Sequence, residues 1–243
     1  MTPIILADAP QAANAVAERI IAVLRDKPEA VLGLATGATM EPVYAALVAA
    51  YLSGRVSFSR TTTFNLDEYV GIPPDHPGSY RATMNRLLFD HVDIELSRTH
   101  VPDGMAANPE EAAEAYELQI RQAGCIDLQL LGIGRNGHIG FNEPGSTLQS
   151  RTRHVVLHSE TLAANQDFFE DAEVPRSAIT MGIATILTAR SILVLATGNA
   201  KQSAVRQALA GGYHSDCPAS ALAGHTDVTW ILDDAAAQSA RVV

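Results

Sequence analysis

His138 stands two residues after Asn136 and five before Glu143, inside Gly132-Ile-Gly-Arg-Asn-Gly-His-Ile-Gly-Phe-Asn-Glu-Pro144. An imidazole beside a carboxylate is held in one tautomer and can act as a general acid or base near neutral pH. A lone loop histidine is more often structural, so its neighbours carry the weight. Asp67-Glu68 follows an apolar run directly. There it reads either as a solvated charge pair or as a partly desolvated, more basic carboxylate. Thr36-Gly37-Ala38-Thr39 joins an apolar run to a helical pattern. Glycine admits a close ligand, and the unpaired N–H groups of a helix start, with threonine hydroxyls, suit a phosphate. An ordinary tight turn fits the same four residues. Lys201, in Thr197-Gly-Asn-Ala-Lys201, can supply a compensating cation. The nucleotide-binding pattern Gly-x4-Gly-Lys-Ser/Thr does not occur.

Other signals exclude more than they propose. Gly132-x-Gly134-x-x-Gly137 matches the dinucleotide pattern. It leads into His138 and Pro144 rather than a long helix, and lacks the acidic residue expected about 20 positions on. His154 and His158 lie in a strand-like segment that separates them, and no HExxH occurs, so no metal site is expected. Cys125 and Cys217 sit in unrelated contexts, which argues against a zinc knuckle or a disulfide scaffold. Asp plus Glu number 27 against 17 Lys plus Arg, a formal charge of −10 without a long basic run. Such a chain is a poor partner for nucleic acid or anionic membrane. No apolar run approaches the ~18 residues of a membrane span, and the N-terminus lacks a basic signal region. A cytoplasmic location is expected.

These residues need a scaffold. The chain has 243 residues, 47% hydrophobic and 5% aromatic, a mix suited to parallel strands under helices. Strand-like runs at 4–6, 31–35, 61–66, 126–131, 155–157, 192–196 and 228–232 alternate with helical periodicity at 9–25, 41–52, 80–89, 109–123, 160–169, 181–189 and 199–210. Asp8 is the expected cap of the first helix, with Gln11 completing a capping-box pattern. No internal repeat or linker is evident. The pattern predicts one α/β domain over residues 1–243, a doubly wound, mostly parallel open sheet with helices on both faces. In such a sheet, ligands bind at the carboxyl ends of the strands. The loops at 36–39, 67–69, 132–144 and 197–201 would then crowd one rim.

At these loops the chain resembles the glucosamine-6-phosphate deaminase family. The likeness rests on Leu34-Ala-Thr-Gly-Ala-Thr39, Phe64-Asn-Leu-Asp-Glu-Tyr-Val-Gly71, Leu131 through Gly145, Ser150-Arg-Thr-Arg153 and Ala178-Ile-Thr-Met-Gly182, and spans nearly the whole chain. It implies conversion of D-glucosamine 6-phosphate and water to fructose 6-phosphate and ammonia, in amino-sugar catabolism, without a cofactor or metal. It implies Asp67 as the enolisation base and His138 as the ring-opening group, with Asn136 and Glu143 orienting and tuning the imidazole. Thr36, Gly37, Ala38, Thr39 and Lys201 would hold the phosphate. The partner is thus a small amino-sugar phosphate; whether the protein is a monomer or a homo-oligomer stays open. Asn136 stands where some members carry Asp, and Asp167 where the family usually has a phosphate-binding Arg, with Arg135 or Arg176 as substitutes. Ser146 and Arg153 match an effector site of longer members, but Val155 replaces its lysine and the C-terminal extension is absent, so the short, non-allosteric type is expected. The galactosamine epimer, 6-phosphogluconolactone and a catalytically silent sensor are the alternatives. Gly140-Phe-Asn-Glu-Pro144 and Asp67-Glu68-Tyr69 differ from the lactonase pattern.

Overall fold

Asp8 begins the first helix as its type predicts. Its carboxylate accepts the Gln11 N–H at 2.8 Å, Pro10 fills the first turn, and α1 (Ala9–Asp26) follows. Ala13, Val16, Ala17, Ile20, Ile21 and Leu24 form one buried stripe on it. The computed structural model describes residues 2–158, 162, 169 and 174–238. Its seven-stranded parallel sheet comprises β1 (Ile4–Leu6), β2 (Val31–Leu34), β3 (Thr62–Asn65), β5 (Thr99–His100), β6 (Leu128–Gly132), β9 (Ser191–Ala196) and β10 (Val228–Asp233). The order is β1-β10-β9-β6-β2-β3-β5. The chain moves outward from β2 through β3 and β5, then returns to lay β6 on the other side of β2. That reversal places a topological switch point between β2 and β6, where loops splay and a ligand fits. β2 is buried throughout and β6 and β9 nearly so, which accounts for their largely apolar sequence.

The helices α2 (Glu41–Leu52), α3 (Tyr80–Leu87), α4 (Pro109–Gln122), α5 (Ile183–Ile186), α6 (Gln202–Leu209) and α7 (Asp234–Ala237) complete the described elements with several 310 turns. Helical periodicity at 80–89 ends early, because a 310 turn over Phe89–His91 replaces the last turn. Periodicity at 181–189 yields the single turn α5, and that at 199–210 divides into a 310 turn (Asn199–Lys201) and α6. The segment 160–169 lies outside the described residues except for 162 and 169. The sixth strand starts at Leu128 rather than 126 because Asp127 turns its carboxylate back to accept the Val31 N–H at 2.8 Å.

The largest departure from the expected single sheet is a second one. β4 (Asp67–Tyr69), β8 (Ser177–Thr180) and β7 (Arg153–Val156) form a three-stranded antiparallel sheet in the order β4-β8-β7. Asp67 is therefore part of a strand rather than a rim loop, and the run at 155–157 joins this sheet instead of the parallel one. The small sheet has its own apolar cluster, with Tyr69, Phe141, Phe169, Val174 and Ala178 buried together. The Tyr69 and Phe169 rings meet edge-on with centroids 5.3 Å apart. Glu117 of α4 ties the two parts together. Its buried carboxylate accepts from the Thr152 N–H, the Thr152 hydroxyl and the Thr185 hydroxyl. Burial pushes that carboxyl up, but these bonds prevail and hold it below the ordinary range.

Candidate active site

Asp67 enters from the junction of the two sheets. The chain leaves β3, and the Leu66 N–H still bonds the Leu34 carbonyl of β2 at 2.9 Å. It then turns into β4, where Asp67 registers opposite Thr180. The Asp67 side chain is nearly fully buried. Burial, reinforced by the adjacent Glu68 charge, pushes its carboxyl up to about 8. Glu68 is buried as well and raised by that burial, but it is well supplied with donors. The N–H groups of Tyr69, Tyr80 and Arg81 all bond it at 2.9 Å, so it anchors the start of α3. The pair thus divides its roles by environment, with Glu68 hydrogen-bonded and Asp67 left as the group that gains or loses a proton.

The His138 loop lies directly over Asp67. A methyl group built on Gly140 would come within 3.2 Å of Asp67 Oδ2 and 3.0 Å of Thr180 Oγ1, so backbone, carboxyl and hydroxyl meet at that glycine. The Phe141 N–H donates to Thr180 Oγ1 at 3.1 Å. Asn142, fully buried, donates to the carbonyls of Ile139 and Met181, each at 2.8 Å, and accepts from Arg153 at 2.8 Å. Since the Met181 N–H bonds the Leu66 carbonyl at 2.7 Å, one short chain of bonds fixes the loop relative to the residue before Asp67.

His138 itself is about 30% exposed, with Nδ1 at 3.4 Å from Glu143 Oε2. Its ring lies flat on Gly134, where an added methyl group would fall within 2.4 Å of Cε1, Nδ1 and Nε2. Asn136 works through the backbone, not the ring. It accepts the His138 N–H at 3.2 Å and donates to Glu143 Oε2 at 2.7 Å. Glu143 therefore faces both the imidazole and an amide donor.

The third group of residues lies at the ends of β2 and β9, with β6 between them. Gly37, at φ 110° and ψ 159°, turns the chain from β2 into a 310 turn (Ala38–Met40) and α2. That backbone region is nearly closed to residues with a Cβ. Among the described residues no acceptor meets the N–H groups of Gly37, Ala38 or Thr39. Lys201 ends the equivalent 310 turn after β9, half-buried and in no described ion pair; burial and the nearby Arg135 charge lower its pKa. Loops from β9, β6 and β2 are adjacent because the strands are.

A sequence profile of the glucosamine-6-phosphate isomerases/6-phosphogluconolactonase family matches residues 7–230. The chain belongs to this family. A glucosamine-6-phosphate deaminase of Shewanella loihica is 52% identical over 98% of this chain and 89% of its own. One of Rhodopirellula baltica is 53% identical, covering 96% and 93%. The solved structure of a monomeric glucosamine-6-phosphate deaminase superposes with a TM-score of 0.95 at 43% identity, covering 98% of this chain and 100% of that one. A 6-phosphogluconolactonase of Trypanosoma brucei shares the fold, with a TM-score of 0.78 at 24% identity over 100% and 99% of the two chains.

Against the family pattern, the structure gathers Asn136, His138 and Glu143 in one loop and lays that loop on Asp67. Thr36 to Thr39 and Lys201 sit at the ends of β2 and β9, on either side of β6. Asp167 lies outside the described residues. Arg153 is engaged internally, with Asn142 and with Ser146 Oγ at 3.3 Å. Sequence reasoning missed Thr180, Asn142 and Asp233. It also passed over a local repeat, Ala35-Thr-Gly37 and Ala196-Thr-Gly198, which sits at two strand ends with matching glycine geometry. Asp233-Asp-Ala-Ala236 carried a readable helix-cap signal. Thr180 and Asn142 lie within segments that carry the family likeness, but nothing there marks them individually, and only tertiary structure brings Thr180 to Gly140. Among the described residues no helix is long and apolar enough to cross a membrane.

Proposed function

We propose that the chain is a glucosamine-6-phosphate deaminase, acting as one domain in cytoplasmic amino-sugar catabolism and converting D-glucosamine 6-phosphate and water to fructose 6-phosphate and ammonia. One observation carries the assignment: a buried carboxyl of raised basicity, Asp67, lies under the His138–Glu143 loop of a chain half identical to enzymes of that name. The closed aminosugar has no acidic C–H, so the ring opens first. His138 takes the anomeric hydroxyl proton and returns a proton to the ring oxygen, and Glu143 stabilises the transient imidazolium. The C2 proton of the open chain, now beside an aldehyde, passes to Asp67, and the same carboxyl returns it to C1. The enol collapses to an imine at C2; water adds there and ammonia leaves. The open N–H groups of Gly37, Ala38 and Thr39, the threonine hydroxyls and Lys201 hold the phosphate, whose remote binding energy orients the sugar.

A coupled assay following ammonia and fructose 6-phosphate together tests this. Equal release of both by the parent protein, abolished in Asp67→Asn, is the expected result. Turnover of the galactosamine epimer or of 6-phosphogluconolactone in its place would overturn the substrate assignment.

A further inference from the structure

Asp233 ends β10 and has no part in the chemistry above. Its carboxylate faces inward and is 5% exposed. Both of its oxygens accept the Gly198 N–H at 3.0 Å, and Oδ1 also caps α7 through the Ala236 N–H at 2.7 Å. Gly198 occupies the same position in its loop as Gly37 does in the other. The two residues share the Ala-Thr-Gly sequence, a backbone near φ 86°, ψ 153° and φ 110°, ψ 159°, and a following 310 turn that opens a helix. They differ in one respect. Gly37 N–H meets no described acceptor, whereas Gly198 N–H is already held by an anion that belongs to the protein.

We propose that Asp233 is a positioning residue for phosphate binding: it fills the anion seat of the Gly198 loop, which commits the substrate's phosphate to the Gly37 loop and holds Lys201 toward it. This rests on the phosphate assignment above. Lys201 is the third residue after Gly198, and its own N–H bonds the Gly198 carbonyl at 3.1 Å. Fixing the Gly198 amide therefore fixes the turn that ends in the lysine. Without Asp233 the amide seeks another anion and the turn loses its tether at Gly198, leaving the Gln202 bond to the Ala235 carbonyl at 2.8 Å.

The test uses Asp233→Ser, which keeps a cap for the Ala236 N–H but is too short to reach Gly198, with isosteric Asp233→Asn deciding if the serine variant does not fold. Loss of a charge-assisted bond to the loop should raise KM for glucosamine 6-phosphate about tenfold or more. The dissociation constant for inorganic phosphate, titrated by 31P NMR, should rise in parallel while kcat changes little. Unchanged KM and phosphate affinity, with only a lowered Tm, would show a purely structural cap and overturn the proposal. A fall in kcat at constant KM would overturn it too. Phosphate binding without turnover in the parent protein would instead defeat the reaction assignment and leave Asp233 to be judged by the titration.

Discussion

At the end of β2 the parallel sheet carries amides that stay open, whereas the antiparallel sheet carries its working carboxyl inside. Gly37 N–H and its neighbours meet no described acceptor, while Asp67 is 6% exposed and pushed up to about 8. The difference follows from what each part handles. A phosphate arrives charged and needs donors that face solvent beforehand. A proton taken from carbon needs a base whose affinity has been raised, and burial is the means at hand. Strand ends at a switch point suit the first task. A strand that carries Tyr69 and packs with Phe141 and Phe169 suits the second.

The sharpest way to break this contrast is Asp67→Asn. Turnover should fall by about a thousandfold or more, since the residue is the base. Stability should move the other way. In the window between the ordinary aspartate value of 3.8 and about 8, the native state holds a proton that the unfolded state releases. Folding stability therefore declines as pH rises through that window, by at most about 1.4 kcal/mol per pH unit. Asparagine carries no such proton, so the Tm of the variant should exceed that of the parent by a margin that widens from pH 5 to 8. In the parent, kcat/KM should climb as pH passes through about 8. An equal Tm difference at every pH would mean that Asp67 is not held protonated.

Much of the parallel half was legible in the chain, and much of the antiparallel half was not. Residues 31–34, 128–132 and 191–196 are apolar but for Gln129 and Ser191 because both of their faces are covered, and such runs announce themselves. Asp67-Glu-Tyr69 reads as a charged loop, yet it is a strand, because Glu68 spends its charge on three backbone donors instead of solvent. No periodicity encodes that compensation. The site divides in the same way. The 132–144 loop and the Thr36–Thr39 turn could be found from residue type, while Thr180 becomes visible only after β8 is placed beside β4, and Asn142, though inside that loop, shows its role only once Met181 lies beside it.

A smaller effect should follow from Gly134→Ala. The new methyl group would need the space of the His138 ring, within 2.4 Å of three of its atoms, so the imidazole must move off Gly134 and its geometry with Glu143 changes. A displacement of that size in a proton-transfer group costs about a hundredfold in kcat. The phosphate loops are untouched, so the inhibition constant of inorganic phosphate should hold. A parallel loss of phosphate affinity would mean that the two halves are coupled more tightly than their separate cores suggest.

Gly37→Ala probes the open half and should have the mildest effect. Nothing lies within 4 Å of the added methyl group, so no clash contributes and the backbone conformation at φ 110° is the whole penalty, about 1–3 kcal/mol. Relief comes by rotating the peptide, which re-aims the Gly37 and Ala38 N–H groups. KM for the sugar phosphate should rise about tenfold, the equivalent of 1.4 kcal/mol, with kcat nearly constant, because Asp67 and His138 are fixed to each other through Thr180 and Asn142 and not through this loop. A drop in kcat as large as the rise in KM would show that phosphate binding organises the proton-handling half, and the two sheets would then have to be treated as one device.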